Sequence, residues 1–130
     1  MRFPKRAAMI VPIAAALTLG MASTASAGTD CTDYSDNGGA KVTFKAYGEH
    51  LLVTDVFGDY HSAVGGIEIY GDGHYYYWNR DGKGTTRDVN LSITDGTSVI
   101  VNAFLGDWEG TPSGGISWNS NVVSNAQGVA

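Results

Sequence analysis

Four consecutive aromatic residues, Tyr75-Tyr76-Tyr77-Trp78, are the densest recognition chemistry in the chain. Tyrosine and tryptophan offer large flat rings with few rotamers to freeze, and such rings stack on sugar faces or fill a partner's groove. In a strand, successive side chains alternate, so Tyr75 and Tyr77 share one face and Tyr76 and Trp78 the other. Alternation does not say which pair points outward, although the bulk of Trp78 favours burial and the neighbouring Ile67 and Ile69 suit Tyr75 and Tyr77. The candidate binding residues are Tyr75, Tyr77 and Trp78, joined by Trp108 from the glycine-rich loop Gly106 to Gly115, with Trp118 beyond it.

Other combinations are weaker. Asp59, His61 and Ser62 contain the groups of a hydrolytic nucleophile, a base and an orienting acid. Adjacent strand positions point His61 and Ser62 apart, and no Gly-x-Ser-x-Gly elbow is present. No catalytic residue is assigned and the chain is expected to be non-enzymatic. His50, His61 and His74 lack the compact spacing of zinc ligands. Turn aspartates offer the oxygen ligands that calcium takes, Asp55 with Asp59 or Asp72 with Asp81, but at no EF-hand spacing. No cofactor is expected.

The elements that must carry these residues are strands. Lys41 to Tyr47 alternates Val42, Phe44 and Ala46 against Lys41, Thr43 and Lys45, and His50 to Phe57, His61 to Tyr70, His74 to Arg80, Thr85 to Ile93, Thr97 to Leu105 and Ile116 to Val123 follow. Turn residues separate them every 8–12 positions, including the hairpin signal Gly71-Asp72-Gly73. No helical period is sustained. About seven short strands predict an all-β fold, a small antiparallel two-layer β-sandwich, with a small closed β-barrel as the alternative. Strand order is not readable. Residues 28–39, almost free of large aliphatic side chains, read as a flexible lead-in, so the domain is expected over 40–130.

Residues 1–27 read as an export leader: Arg2, Lys5 and Arg6 precede the apolar run Ala7 to Leu19, and Ala25-Ser26-Ala27 fits a cleavage site. The run is shorter than the ~20 residues that span a bilayer. Removing the leader leaves five basic residues against thirteen acidic ones, a formal charge of −8. Such a surface repels phosphate backbones and anionic headgroups, which argues against nucleic-acid and membrane partners. The single cysteine, Cys31, permits no internal disulfide, so the core alone must stabilise the domain. Pairing with another chain is the other use open to Cys31.

The stretch Tyr47 to Gly65, Tyr-Gly-Glu-His-Leu-Leu-Val-Thr-Asp-Val-Phe-Gly-Asp-Tyr-His-Ser-Ala-Val-Gly, with Trp78-Asn79-Arg80-Asp81-Gly82 and Thr97-Ser98-Val99 further on, resembles the small exported proteins of filamentous actinobacteria. Many of those carry paired cysteines in their later strands, from which this chain departs. The resemblance covers about Lys41 to Leu105 and implies a secreted β-sandwich with no transferable catalytic residue.

These readings converge on a secreted, extracellular protein that works by surface contact with a polysaccharide or another extracellular protein. A structural or developmental surface protein that self-associates through an open sheet edge is the first alternative, and an inhibitor of secreted hydrolases or an antimicrobial effector is the second. Edges separate the first two: binding calls for an aromatic patch with protected edge strands, self-assembly for long unpaired ones.

Overall fold

The computed structural model describes residues 28–58, 60–122 and 126–130. The expected leader, residues 1–27, and Asp59 lie outside the described residues. Among the described residues nine strands follow one another: β1 (Cys31–Tyr34), β2 (Ala40–Lys45), β3 (His50–Asp55), β4 (Ser62–Ile69), β5 (Gly73–Asn79), β6 (Thr86–Asn90), β7 (Ser98–Gly106), β8 (Ile116–Ser117) and β9 (Ala126–Val129). They form two antiparallel sheets, one ordered β1-β2-β3-β6 and the other β5-β4-β7 with β8 and β9 both beside β7. This is the expected all-β sandwich and not a closed barrel. No helix among the described residues is long and apolar enough to cross a membrane.

Period-two alternation explains why the sheets meet. Val42 and Phe44 on β2, Leu51 and Val53 on β3, Ala63, Ile67 and Ile69 on β4, and Val99, Val101, Ala103 and Leu105 on β7 form one buried core between the layers. These are the aliphatic parities already visible in the sequence. Each fully buried side chain of this type contributes about 1.5–3 kcal/mol, which is how the domain does without a disulfide. Gly65 sits where the layers come closest: a Cβ there would fall 2.7 Å from Val53 Cγ2 and 3.2 Å from Val42 Cγ1. The absence of a side chain at this position lets the sheets close.

Two expectations need correction. Residues 28–39 are not a loose lead-in, because β1 pairs along β2 from Cys31↔Phe44 to Tyr34↔Lys41. Hydrogen bonding, not apolar content, holds the segment. Asp33 is buried, and its Oδ2 accepts from the Ala103 N–H at 2.9 Å and from Asn121 Nδ2 at 2.9 Å, while the same amide donates to Ala103 O. These side chains serve the stretch of β7 between its short neighbours β8 and β9. Thr29 and Val129 exchange backbone bonds of 2.8 and 3.0 Å, joining the two sheets along that side. The second correction concerns Ile116 to Val123, where pairing stops after Ser117 and the chain turns through a 3-10 segment, Trp118–Ser120. Val123 lies outside the described residues.

Candidate ligand-binding face

The register places Trp78, Tyr76 and His74 of β5 opposite Val64, Gly66 and Glu68 of β4, and those opposite Phe104, Asn102 and Ile100 of β7. All these side chains lie on the parity that faces away from the main core. The outer surface of this sheet is therefore aromatic. Val64, Trp78, Phe104 and Ile116 bury one another there, with Tyr76 packed against them.

Two glycines make room for the rings. A Cβ at Gly66 would stand 3.3 Å from both Phe104 Cε2 and Tyr76 Cε1, and one at Gly106 would stand 2.6 Å from Trp78 Cη2. The rings thus cover bare backbone on the two central strands. Trp118, 52% exposed, completes the cluster, 5.6 Å from Tyr76 and 5.3 Å from Phe104 between ring centroids, at interplanar angles of 79° and 80°. Edge-to-face packing of this kind adds about 0.5–1.5 kcal/mol per pair and fixes the rings in place.

The loop after β7 brings in Trp108. Trp78 Nε1 donates to Pro112 O at 2.7 Å, and the loop closes on itself through Asp107 N to Gly115 O at 2.9 Å. Gly115 has φ of +79°, and a Cβ there would collide with Asp107 O, so the closure requires glycine. So anchored, Trp108 meets Trp78 edge to face at 5.2 Å, and the Arg80 guanidinium lies 4.8 Å from the Trp108 ring centre. Polar groups border the rings: Asn102 beside Gly66, and Glu68 with its Oε1 3.0 Å from His74 Nε2.

The residues expected to bind are divided by this arrangement. Tyr77 faces inward and packs on the main core, under the Arg87 guanidinium at 5.8 Å. Tyr75, on the same parity, donates its hydroxyl to Asp72 Oδ1 at 2.7 Å, a bond that raises the phenol's pKa by favouring its protonated form. Trp78, only 4% exposed, supports the outer face without offering much of it. Trp108, 37% exposed, is at the surface as expected. Burial thus takes one ring from each parity, Tyr77 by the opposite sheet and Trp78 by the loop. The ring passed over as a candidate is Tyr76, half-buried beside the buried Phe104, with Trp118, already noted beyond the loop, as its partner. Its signal was apolar residues at both parities of one strand, Val64 on β4 and Phe104 on β7, which marks a sheet covered on both faces.

The weaker combinations are also placed. Asp72 and Asp81 sit beyond opposite ends of β5, whose seven residues span about 20 Å, so they cannot share a cation. Asp55 is buried at the far end of the sandwich from Asp72, and its proposed companion Asp59 lies outside the described residues. Among the described residues no three acidic, histidine or cysteine side chains gather as a metal site. His50, His61 and His74 are apart, each against a different carboxylate: Asp88 at 2.7 Å, Asp107 at 2.9 Å and Glu68 at 3.0 Å. His61 and Ser62 both border an open end groove, and the carboxylate on His61 comes from Asp107, 46 residues away.

No family model, curated protein or solved structure matches this chain.

Proposed function

We propose that this protein is a non-enzymatic binding module that takes a polysaccharide chain on the outer aromatic face of its second sheet. The observation that carries the reading is the contiguous cluster of Tyr76, Phe104, Trp118, Trp78 and Trp108, built outward from a sheet whose other face already supplies the core. The middle of the cluster is buried, yet Trp118 and Trp108 at its rim stay 52% and 37% exposed, more open ring than covering the sheet requires. Sugars match it, because their C–H faces stack on rings while Asn102, Glu68 and His74 stand close enough to meet hydroxyls. The rings cross at steep angles rather than lying coplanar, which suits a single twisted chain better than a flat crystalline surface. With the leader read in residues 1–27, the encounter takes place outside the cell.

The edges favour this reading over self-assembly. Thr29 and Val129 link the strands on one side, and on the other the Arg87 guanidinium donates to Trp78 O and ties β6 to β5. Strand addition would have to displace those bonds.

All three tryptophans of the chain, Trp78, Trp108 and Trp118, lie on this face, so intrinsic fluorescence reports its occupation directly. The experiment is retention on insoluble polysaccharides, with fluorescence titration of soluble oligomers. Trp118→Ala is expected to weaken binding about thirtyfold, a central-contact loss of ~2 kcal/mol. Tyr75→Ala, on the other parity, should bind as the parent does. Retention on no glycan, or equal loss from both variants, refutes the proposal.

A further inference from the structure

Five cationic side chains follow residue 27: Lys41, Lys45, Arg80, Lys83 and Arg87. Lys45 pairs with Asp30 at 3.5 Å, and Arg87 donates to Trp78 O. Arg80 and Lys83 both line a groove of about 410 Å³ at the end of the sandwich, which Trp108 lines as well. Trp108 also packs on Trp78, so the groove adjoins the aromatic face through one shared indole. Its volume falls within the range that small-molecule sites occupy.

The charged groups described in the groove differ in exposure. Of its two described carboxylates, Asp107 faces His61 at 2.9 Å and Asp55 is buried at 3% exposure. Arg80 and Lys83 are exposed, and neither is in an ion pair among the described residues. The Arg80 guanidinium carbon lies 4.8 Å from the Trp108 ring centre, and a guanidinium can take a planar carboxylate through two parallel hydrogen bonds. The chain's overall excess of acid opposes polyanions at long range, and these two exposed cations beside an indole are the local contact that would offset it for one anionic group.

We propose that the end groove seats the carboxylate of a hexuronate unit, so that the polysaccharide taken by the aromatic face is an acidic one. Arg80 binds the carboxylate, Lys83 adds a second charge, and Trp108 stacks on the same sugar. This rests on the aromatic-face reading and gives it a substrate class.

The test titrates the protein, by tryptophan fluorescence, with oligomers of galacturonan and of glucuronan and with the same oligomers after reduction of their carboxylates to alcohols. At least tenfold tighter binding of one acidic series than of its reduced form is expected, and 0.5 M salt should erase the difference. Arg80→Gln, and more fully Arg80→Gln with Lys83→Gln, should bring the acidic series to within about threefold of the neutral one. Both side chains are exposed, so the variants should fold, and circular dichroism checks this. Equal binding of acidic and reduced oligomers, or an acid preference that survives the double substitution, overturns the groove but not the face. No binding of any series overturns this proposal, and the face falls with it only if no glycan is retained either, while a preference for sulfated dextran over every uronate series reassigns the groove away from carboxylates and overturns this proposal.

Discussion

Asn79 should be the most costly polar residue to remove. It is 1% exposed at the end of β5 and reaches across the layers, where its Nδ2 donates to Val53 O on β3 at 3.0 Å and to Thr85 O just before β6 at 2.8 Å. Its Oδ1 accepts from the Asp81 N–H at 3.0 Å. A fourth contact, with Thr85 Oγ1 at 3.2 Å, counts for less, because that hydroxyl has one proton and gives it to Gly82 O at 2.6 Å. Three bonds at about 1 kcal/mol each set the cost of Asn79→Ala near 3 kcal/mol, and more if the Val53 carbonyl stays dry, since a buried unpaired group costs about 1–3 kcal/mol by itself. In a domain of this size that lowers the melting temperature by about 10–20 °C. Asn79→Asp should do no better, because it keeps the acceptor for Asp81 but turns an oxygen toward two carbonyls. Urea unfolding at constant slope is the assay. A loss below about 1 kcal/mol for Asn79→Ala, or an Asn79→Asp variant as stable as the parent, would show that the bonds across the layers are not what holds this end of the sandwich.

Two further outcomes follow from the packing. Gly106→Ala should destabilise the protein by about 1–3 kcal/mol, because the new methyl would meet both Trp78 Cη2 at 2.6 Å and Gly115 O at 2.9 Å; unchanged stability and emission spectrum would mean that the indole does not lie on this glycine. Burial first, and the charge of Asp30 second, push the Cys31 thiol up from 9.0 to about 11. The folded state therefore holds this proton more tightly than the unfolded chain does. Its contribution to stability is complete below pH 9 and is lost as the pH rises through about 11. Urea midpoints of the parent should accordingly fall more steeply over that window than those of Cys31→Ala, and parallel curves would refute the assignment.

The strands with clean alternation, β2, β3 and the first part of β7, were legible because burying one face is a local instruction repeated every second residue. Val42 and Phe44, or Val99, Val101 and Ala103, need no partner to declare their side. β1 was illegible for the opposite reason: Asp33 earns its place by bonds to Ala103 and Asn121, residues far along the chain. The fate of the aromatic strand was undecidable for a related reason, since its two parities carry equally large rings. Gly66 and Gly106 could be read as weak points of their strands, yet they are the floor on which Tyr76 and Trp78 rest.

By itself, the order of side chains determined an all-β chain, the inward parity of its central strands and the concentration of rings in β5. Only the tertiary structure decided that Tyr77 packs on the main core and Tyr76 on the outer cluster with Phe104 and Trp118, and that Arg80 and Lys83 line a groove with Trp108. The physical reason is distance along the chain. Alternation is a property of neighbours, whereas a binding face is assembled by the register between β5, β4 and β7 and by a loop anchored on Trp78, and register depends on the whole sheet.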